Sequence, residues 1–249
     1  MLVTVLVLLG ISASVAAQGF PAAVTKDPIV DPDHPPRMES VRIPTHEVKI
    51  NGVLYLAGGN GQHPTVAFFH GLPGNEQNLD LAQAIRRAGW NVLTLHYRGS
   101  WGSPGTYSYR HQLEDGHAAL RFLRDRQNVA LYGIDPHRIV LAGHSTGGFT
   151  AVNVAATEPD IAGLILISAT DDAGEALRTH NDYQAWKAYK KDNFEDSLYP
   201  LVGCTENGLA NEALRNAPSW SFAADHVYSG YRLALQAAVI DWLQQTMGH

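Results

Sequence analysis

The chain has 249 residues, 45% of them hydrophobic, a formal charge of −6 and one cysteine, Cys204. That length and apolar content suffice for one large core. Scattered Lys and Arg on an acidic chain argue against a nucleic-acid groove and a membrane-surface helix; a single cysteine excludes an internal disulfide, and no Cys/His spacing reads as a zinc site.

The first element is an apolar run, Leu2 to Leu9, too short to cross a bilayer. Small residues follow from Ser12, and Val15-Ala16-Ala17 suits cleavage before Gln18. Residues 1–17 are therefore expected to be a signal peptide, with a secreted or periplasmic product that has no membrane span once the leader is removed. The alternative use of the run is a buried N-terminal strand. Residues 18–38 are rich in Pro and Asp and are expected to be an extended, poorly ordered lead-in. The folded domain is expected over residues 39–249.

SVRIPTHEVKINGVLYLA reads as two strands around an Asn51-Gly52 turn. HPTVAFFHG is a buried strand. LDLAQAIRRAG is a helix with a Gly stop, and NVLTLHYRG a second buried strand. YRHQLEDGHAALRFLRDR is a helix with Leu113, His117, Leu120 and Leu123 or Phe122 near one face. RIVLAGHS is a third buried strand, TGGFTAVNVAAT its following helix, and IAGLILISA a fourth strand. Strand–helix alternation with continuously apolar strands predicts an α/β fold, a mostly parallel central sheet with helices on both faces. Between Thr170 and Trp220 no buried strand of normal length is visible. SWSFAA then reads as a strand, and YSGYRLALQAAVIDWLQQ as a helix with Leu233, Ala237, Ile240 and Leu243 in phase.

Gly143-His144-Ser145-Thr146-Gly147 falls where the third strand gives way to its helix. A sharp strand-to-helix turn holds its central residue in strained backbone angles and leaves no room for bulk two positions away on either side. Such a turn lifts the serine oxygen above the sheet, at the strand ends where α/β ligands bind. It also sets the Thr146 amide at a helix N-terminus, aimed at a developing oxyanion. The alternative is a structural serine in a tight turn.

With GHSTGG, the segments HGLPGNEQN (His70 to Asn78) and HYRGSWGSPG (His96 to Gly105) make the chain resemble the α/β-hydrolase superfamily. The resemblance runs from about Ser40 to Ala169 and again from Ala224 to the end. It implies a serine hydrolase that needs no metal or organic cofactor and takes a small-molecule ester, with a peptide as the weaker choice. In this superfamily the His-Gly after the first buried strand supplies the other oxyanion amide, which falls here on the Leu72 N–H; His70 would shape the loop. The Y-R-G and S-x-G segments look like those of secreted or peptidase-like members. Arg98 reads as structural, with binding of a substrate carboxylate as its alternative.

A base must follow the last strand and face the serine. Of the 12 histidines, His226 in DHVYSGYRLAL fits, and superfamily members carry a similar D-H or G-H there. His144, His180 and His249 are weaker rivals. The acid is open. LYPLVGC would make Glu206 the acid, but Pro200 argues against a central strand. TENGLANEALRNAPSWSF looks like the cap helices of related hydrolases, which makes residues 170–218 a small or reduced helical cap. The seventh strand and its acid would then be deleted near Ala224–Asp225. Asp171 or Asp172, after the fourth strand, would substitute, unless both cap a helix at Ala173. Without any acid, the chain would be a degenerate, non-catalytic binding protein on the same fold.

Overall fold

In β4 (His63–Phe69) successive side chains leave by opposite faces, and every one of the last six is buried. Val66 and Phe68 enter one core with Val92, Val140, Ala142, Ile165 and Ile167. Ala67 and Phe69 enter a second with Leu93, Ile139, Leu141, Leu164 and Leu166. This two-sided burial is why these strands read as unbroken apolar runs. The computed structural model describes residues 4–9, 19–158, 160–169, 219–221 and 225–247, with backbone only for 4–9, 219–221 and 246–247.

The described strands form one eight-stranded sheet. In chain order they are β1 (Thr4–Leu9), β2 (Arg37–Thr45), β3 (Val48–Leu56), β4, β5 (Asn91–Leu95), β6 (Ile134–His144), β7 (Gly163–Ile167) and β8 (Ser219–Ser221). Their spatial order is β2-β3-β5-β4-β6-β7-β1-β8. Only the β2/β3 and β3/β5 pairs are antiparallel. The expected mostly parallel sheet with helices on both faces is present.

The helices are α1 (Ala22–Thr25), α2 (Leu79–Arg87), α3 (Tyr109–Arg124), α4 (Arg126–Tyr132), α5 (Thr146–Thr157) and α6 (Arg232–Met247). Buried residues of α2 and α6 join the first core. Those of α3 and α5 join the second. Local chemistry marks their ends: Ser108 accepts from the His111 amide to start α3, and Asp125 accepts from the Gln127 and Asn128 amides to start α4. No helix among the described residues is long and apolar enough to cross a membrane.

Three expectations change. The hairpin turns at His46-Glu47, not at Asn51-Gly52, which lies inside β3. Gly52 is needed there for a close approach: a β-carbon would stand 3.0 Å from the Thr94 carbonyl of β5. The last helix buries more than one stripe. Leu235 to Ile240, Trp242 and Leu243 are all buried, whereas Leu233 is exposed. The lead-in is not wholly extended, because α1 packs Val24 into the first core and Arg87 donates to the Ala23 carbonyl.

Two further expectations meet the sheet's far edge. SWSFAA does begin with a strand, β8. Between β7 and β8 runs Thr4–Leu9, the segment also expected as leader, paired parallel to both. Asp171, Asp172, Glu206, LYPLVGC and the cap-like stretch lie outside the described residues.

Arg98 is buried in a polar knot. Its Nε donates to Asp115 Oδ1 (2.7 Å), its backbone N–H to Asp115 Oδ2 (2.8 Å) and its Nη2 to Glu114 (2.5 Å) and the His111 carbonyl (3.1 Å). Thr45 of β2 donates to the same Asp115 (2.9 Å). The guanidinium is engaged inside the protein, in keeping with the structural reading. Asp115→Ala should therefore leave the guanidinium with Glu114 as its remaining carboxylate and deprive Thr45 and the Arg98 N–H of their acceptor, destabilising the fold by about 3 kcal/mol, read as a lowered urea midpoint.

Candidate active site

β6 ends and α5 begins at Ser145, whose φ of 55° and ψ of −123° lie outside the regions a side-chain-bearing residue prefers. The surroundings hold it there. Its N–H donates to the Ile167 carbonyl of β7 (3.0 Å), and its own carbonyl accepts from the Gly148 N–H (2.9 Å). The expected crowding on both sides is real. A β-carbon on Gly143 would strike the Gly147 backbone, and one on Gly147 would strike the Phe69 carbonyl at the end of β4. Gln112 of α3 donates to the Thr146 carbonyl (3.0 Å) and to Thr150 Oγ1 (2.6 Å), bracing the first turn of α5.

The loop after β4 passes directly over the serine. A β-carbon at Gly71 would stand 2.7 Å from Ser145 Cβ and 3.3 Å from Ser145 Oγ. Gly71, the residue before Leu72, therefore lies against the serine, and Thr146 opens α5, where the first N–H groups have no helical partner. Tyr97 donates to the His70 carbonyl (3.0 Å) and Trp101 Nε1 to the Pro73 carbonyl (2.8 Å), so the loop is tied at both ends.

His70 is buried and pairs its Nδ1 with the Gly71 carbonyl (2.7 Å). That partner accepts, so Nδ1 carries the proton and the buried Nε2 has no partner. Burial pulls the His70 pKa down to about 4, with the Gly71 hydrogen bond opposing. Burial also lowers the pKa values of His96 and His144. A neutral His70 braces the loop, as expected of it.

His226 follows β8 and lies on an exposed turn before α6. The turn reaches the elbow through His144, whose Nε2 donates to the His226 carbonyl (2.9 Å), with the two rings 4.8 Å apart. Thus His144 is turned toward His226. No hydrogen bond joins the Ser145 hydroxyl to the His226 ring; the contact with His144, the residue before Ser145, is what links the two segments. Asp225 is engaged in its own turn. It accepts from the Ser229 and Val227 amides, and these bonds, Ser229 first, lower its pKa. Among the described residues no carboxylate bonds to the His226 ring.

Sequence reasoning missed Tyr97, Gln112, the partner of His144 and the role of Arg232, which donates to the Val227 carbonyl (2.8 Å). All but the Arg232–Val227 contact, which spans five residues, act across a long chain separation that no local spacing announces. No group of three or more His, Cys, Asp or Glu among the described residues is arranged to hold a metal.

Sheet order, elbow and facing loop define a hydrolase-type α/β site. The chain belongs to the α/β hydrolase fold family, whose model matches residues 64–205. It is similar to the quorum-quenching protein AidA of Acinetobacter baumannii, with 30% identity over 77% of this chain and 62% of that one. It is also similar to the mouse sn-1-specific diacylglycerol lipase ABHD11, with 32% identity over 50% of this chain and 38% of the relative. The matches thus span less than two thirds of these relatives' lengths. In fold, the chain resembles ferulic-acid-bound Est1E from Butyrivibrio proteoclasticus. The TM-score is 0.64 at 17% identity, covering 84% of this chain and all of that one.

A histidine whose pKa falls on folding favours the native state above its unfolded value and loses that contribution as protons bind. The stability tied to His70 is present above pH 6.5 and is lost as pH falls toward about 4, roughly 3 kcal/mol in all. Urea midpoints measured from pH 7.5 to 4 should fall steeply for the wild type and less steeply for His70→Asn.

Proposed function

We propose that the chain is a serine hydrolase of carboxylic esters. The observation that carries this reading is the strained Ser145 under the Gly71–Leu72 backbone, beside the His226 turn. Ser145 Oγ attacks the acyl carbonyl while the His226 ring takes its proton. The oxyanion that forms is held by the N–H groups of Leu72 and Thr146, a type of contact worth about 10²–10³-fold in rate per donor. Collapse of the tetrahedral intermediate breaks the ester C–O bond, and His226 returns the proton to the departing alcohol. Water, deprotonated by His226, then attacks the acyl-serine carbonyl and releases the acid. The chemistry uses no metal or organic cofactor. The esterase and lipase names among the relatives and structural neighbours support an ester over a peptide.

The third member is Asp171 on this reading, with Glu206 as the alternative acid. A second reading is a degenerate binding protein, favoured by the missing carboxylate partner of His226 among the described residues. The difference is measurable, since loss of a triad acid alone costs about 10⁴-fold and leaves residual catalysis.

We further propose that residues 1–17 are a leader and that the mature protein is secreted or periplasmic. The apolar run, the small residues after it and Val15-Ala16-Ala17 support this.

A fluorophosphonate probe should label the wild type rapidly, should not label Ser145→Ala, and should label His226→Ala at least about 10³-fold more slowly. A well-folded wild type that resists the probe would establish the degenerate reading instead. Intact mass of protein recovered from an exporting host should correspond to a chain beginning at Gln18; a mass retaining Met1 would refute the leader.

A further inference from the structure

The hydrogen bonds that hold His226 in place run through its backbone, while its ring lies beside that of His144. His144 takes the carbonyl of His226 and Arg232 takes the next carbonyl, that of Val227. The remaining arms of Arg232 point the other way. Its Nε donates to Asp80 Oδ2 (2.8 Å), and its Nη2 to Asp80 Oδ1 and to Asn78 Oδ1 (3.1 Å). Nη2 also lies 3.7 Å from Glu76 Oε1, which accepts from the Asn78 N–H (2.5 Å). Gln236, one turn along α6, donates to Asp80 Oδ2 as well (2.9 Å). Glu76 and Asn78 close the loop that begins at His70 and carries Leu72, and Asp80 sits in the first turn of α2.

Resting on the hydrolase reading above, we propose that Arg232 is a positioning residue that fixes the turn bearing His226 to the far end of the Leu72 loop, so that base and oxyanion donor are set relative to each other across Ser145. One planar guanidinium makes all these contacts. A lysine, with a single ammonium on a flexible stem, cannot span a backbone carbonyl, a carboxylate and an amide oxygen together. The pair is mutually supporting. Burial lowers the Arg232 pKa and Asp80 more than restores it, while burial raises the Asp80 pKa and Arg232 more than reverses that. Both groups therefore carry their charges at neutral pH, where the clamp is held. With no hydrogen bond between ring and nucleophile, the ring's place is set by this backbone grip together with the neighbouring His144 ring and the buried Tyr228 two residues on. Misplacing a reacting group by about 1 Å costs on the order of 10²-fold, and this is the scale on which Arg232 acts.

The test compares wild type, Arg232→Gln, Arg232→Lys and, as a surface ion-pair control, Arg124→Gln. Each is measured by fluorophosphonate labelling rate, by KM and kcat on a short-chain p-nitrophenyl ester, and by the imidazole NMR signals of His226. Arg232→Gln should slow labelling and kcat by roughly 10- to 100-fold with KM within about twofold of wild type. It should also shift and broaden the His226 signals. Arg232→Lys should fall between, and Arg124→Gln should match wild type in all three. Labelling within about twofold of wild type and unmoved His226 signals in Arg232→Gln, even with a lowered melting temperature, would overturn the proposal and leave Arg232 a structural tie. If Arg232→Gln does not fold, Asp80→Asn, which loosens the clamp without removing the guanidinium, is decided by the same criteria. If the wild type proves inert to probe and ester, the hydrolase reading fails, while the NMR comparison still decides whether Arg232 sets the His226 ring.

Discussion

Between the end of β6 and the start of α5 the backbones of three elements come so close that no β-carbon fits at Gly143 or Gly147. That crowding is the constraint on which the rest depends. It forces Ser145 into a left-handed φ, turns its hydroxyl out of the sheet, and brings the end of β4 close enough for Gly71 to touch the serine. Strain of this kind, of order 1–3 kcal/mol, persists only where the surroundings over-determine it. Here the surroundings are two parallel neighbours, β4 and β7, whose apolar faces are buried on both sides. The core therefore does more than stabilise: it supplies the rigidity that keeps one serine in an unfavourable conformation.

Around that fixed point the connecting segments are held by polar contacts that reach across the chain. Tyr97 ties the loop after β4, Gln112 ties the head of α5, and Arg98 joins its own loop to α3 and β2 through Asp115. All three side chains are buried, where an unmade hydrogen bond would be costly, so each contact is strongly specified. The His226 turn differs. It exposes His226 while burying Tyr228, which meets Ser168 (3.4 Å), and among the described residues His144 joins it to the elbow and Arg232 to α2.

The parallel sheet was legible because two-sided burial writes continuous apolar runs, and the elbow because its glycines have a steric reason that spacing reveals. Asn51-Gly52 misled because the same dipeptide that favours a tight turn also permits close strand contact, and only the pairing of β3 with β5 tells the two apart. The last helix misled because periodicity assumes one buried stripe, whereas α6 is buried on more than one side and exposes Leu233. Arg232 was invisible as a site residue because its partners, Asn78 and Asp80, lie some 150 positions earlier in the chain. Such an arginine looks like any charge at a helix start.

The position of β1 bears on when the fold can exist at all. Thr4 pairs with Gly163 and Val7 with Ser219, so the first strand made waits for some of the last. Loop closure across such spans is slow, and parallel pairing cannot begin before both strands are available. The same six residues are the middle of the proposed leader, and in the sheet they are the strand that joins β8 to β7. Removal of the leader would thus take away the pairing partner of β8 and leave the β7 edge for another strand to cover.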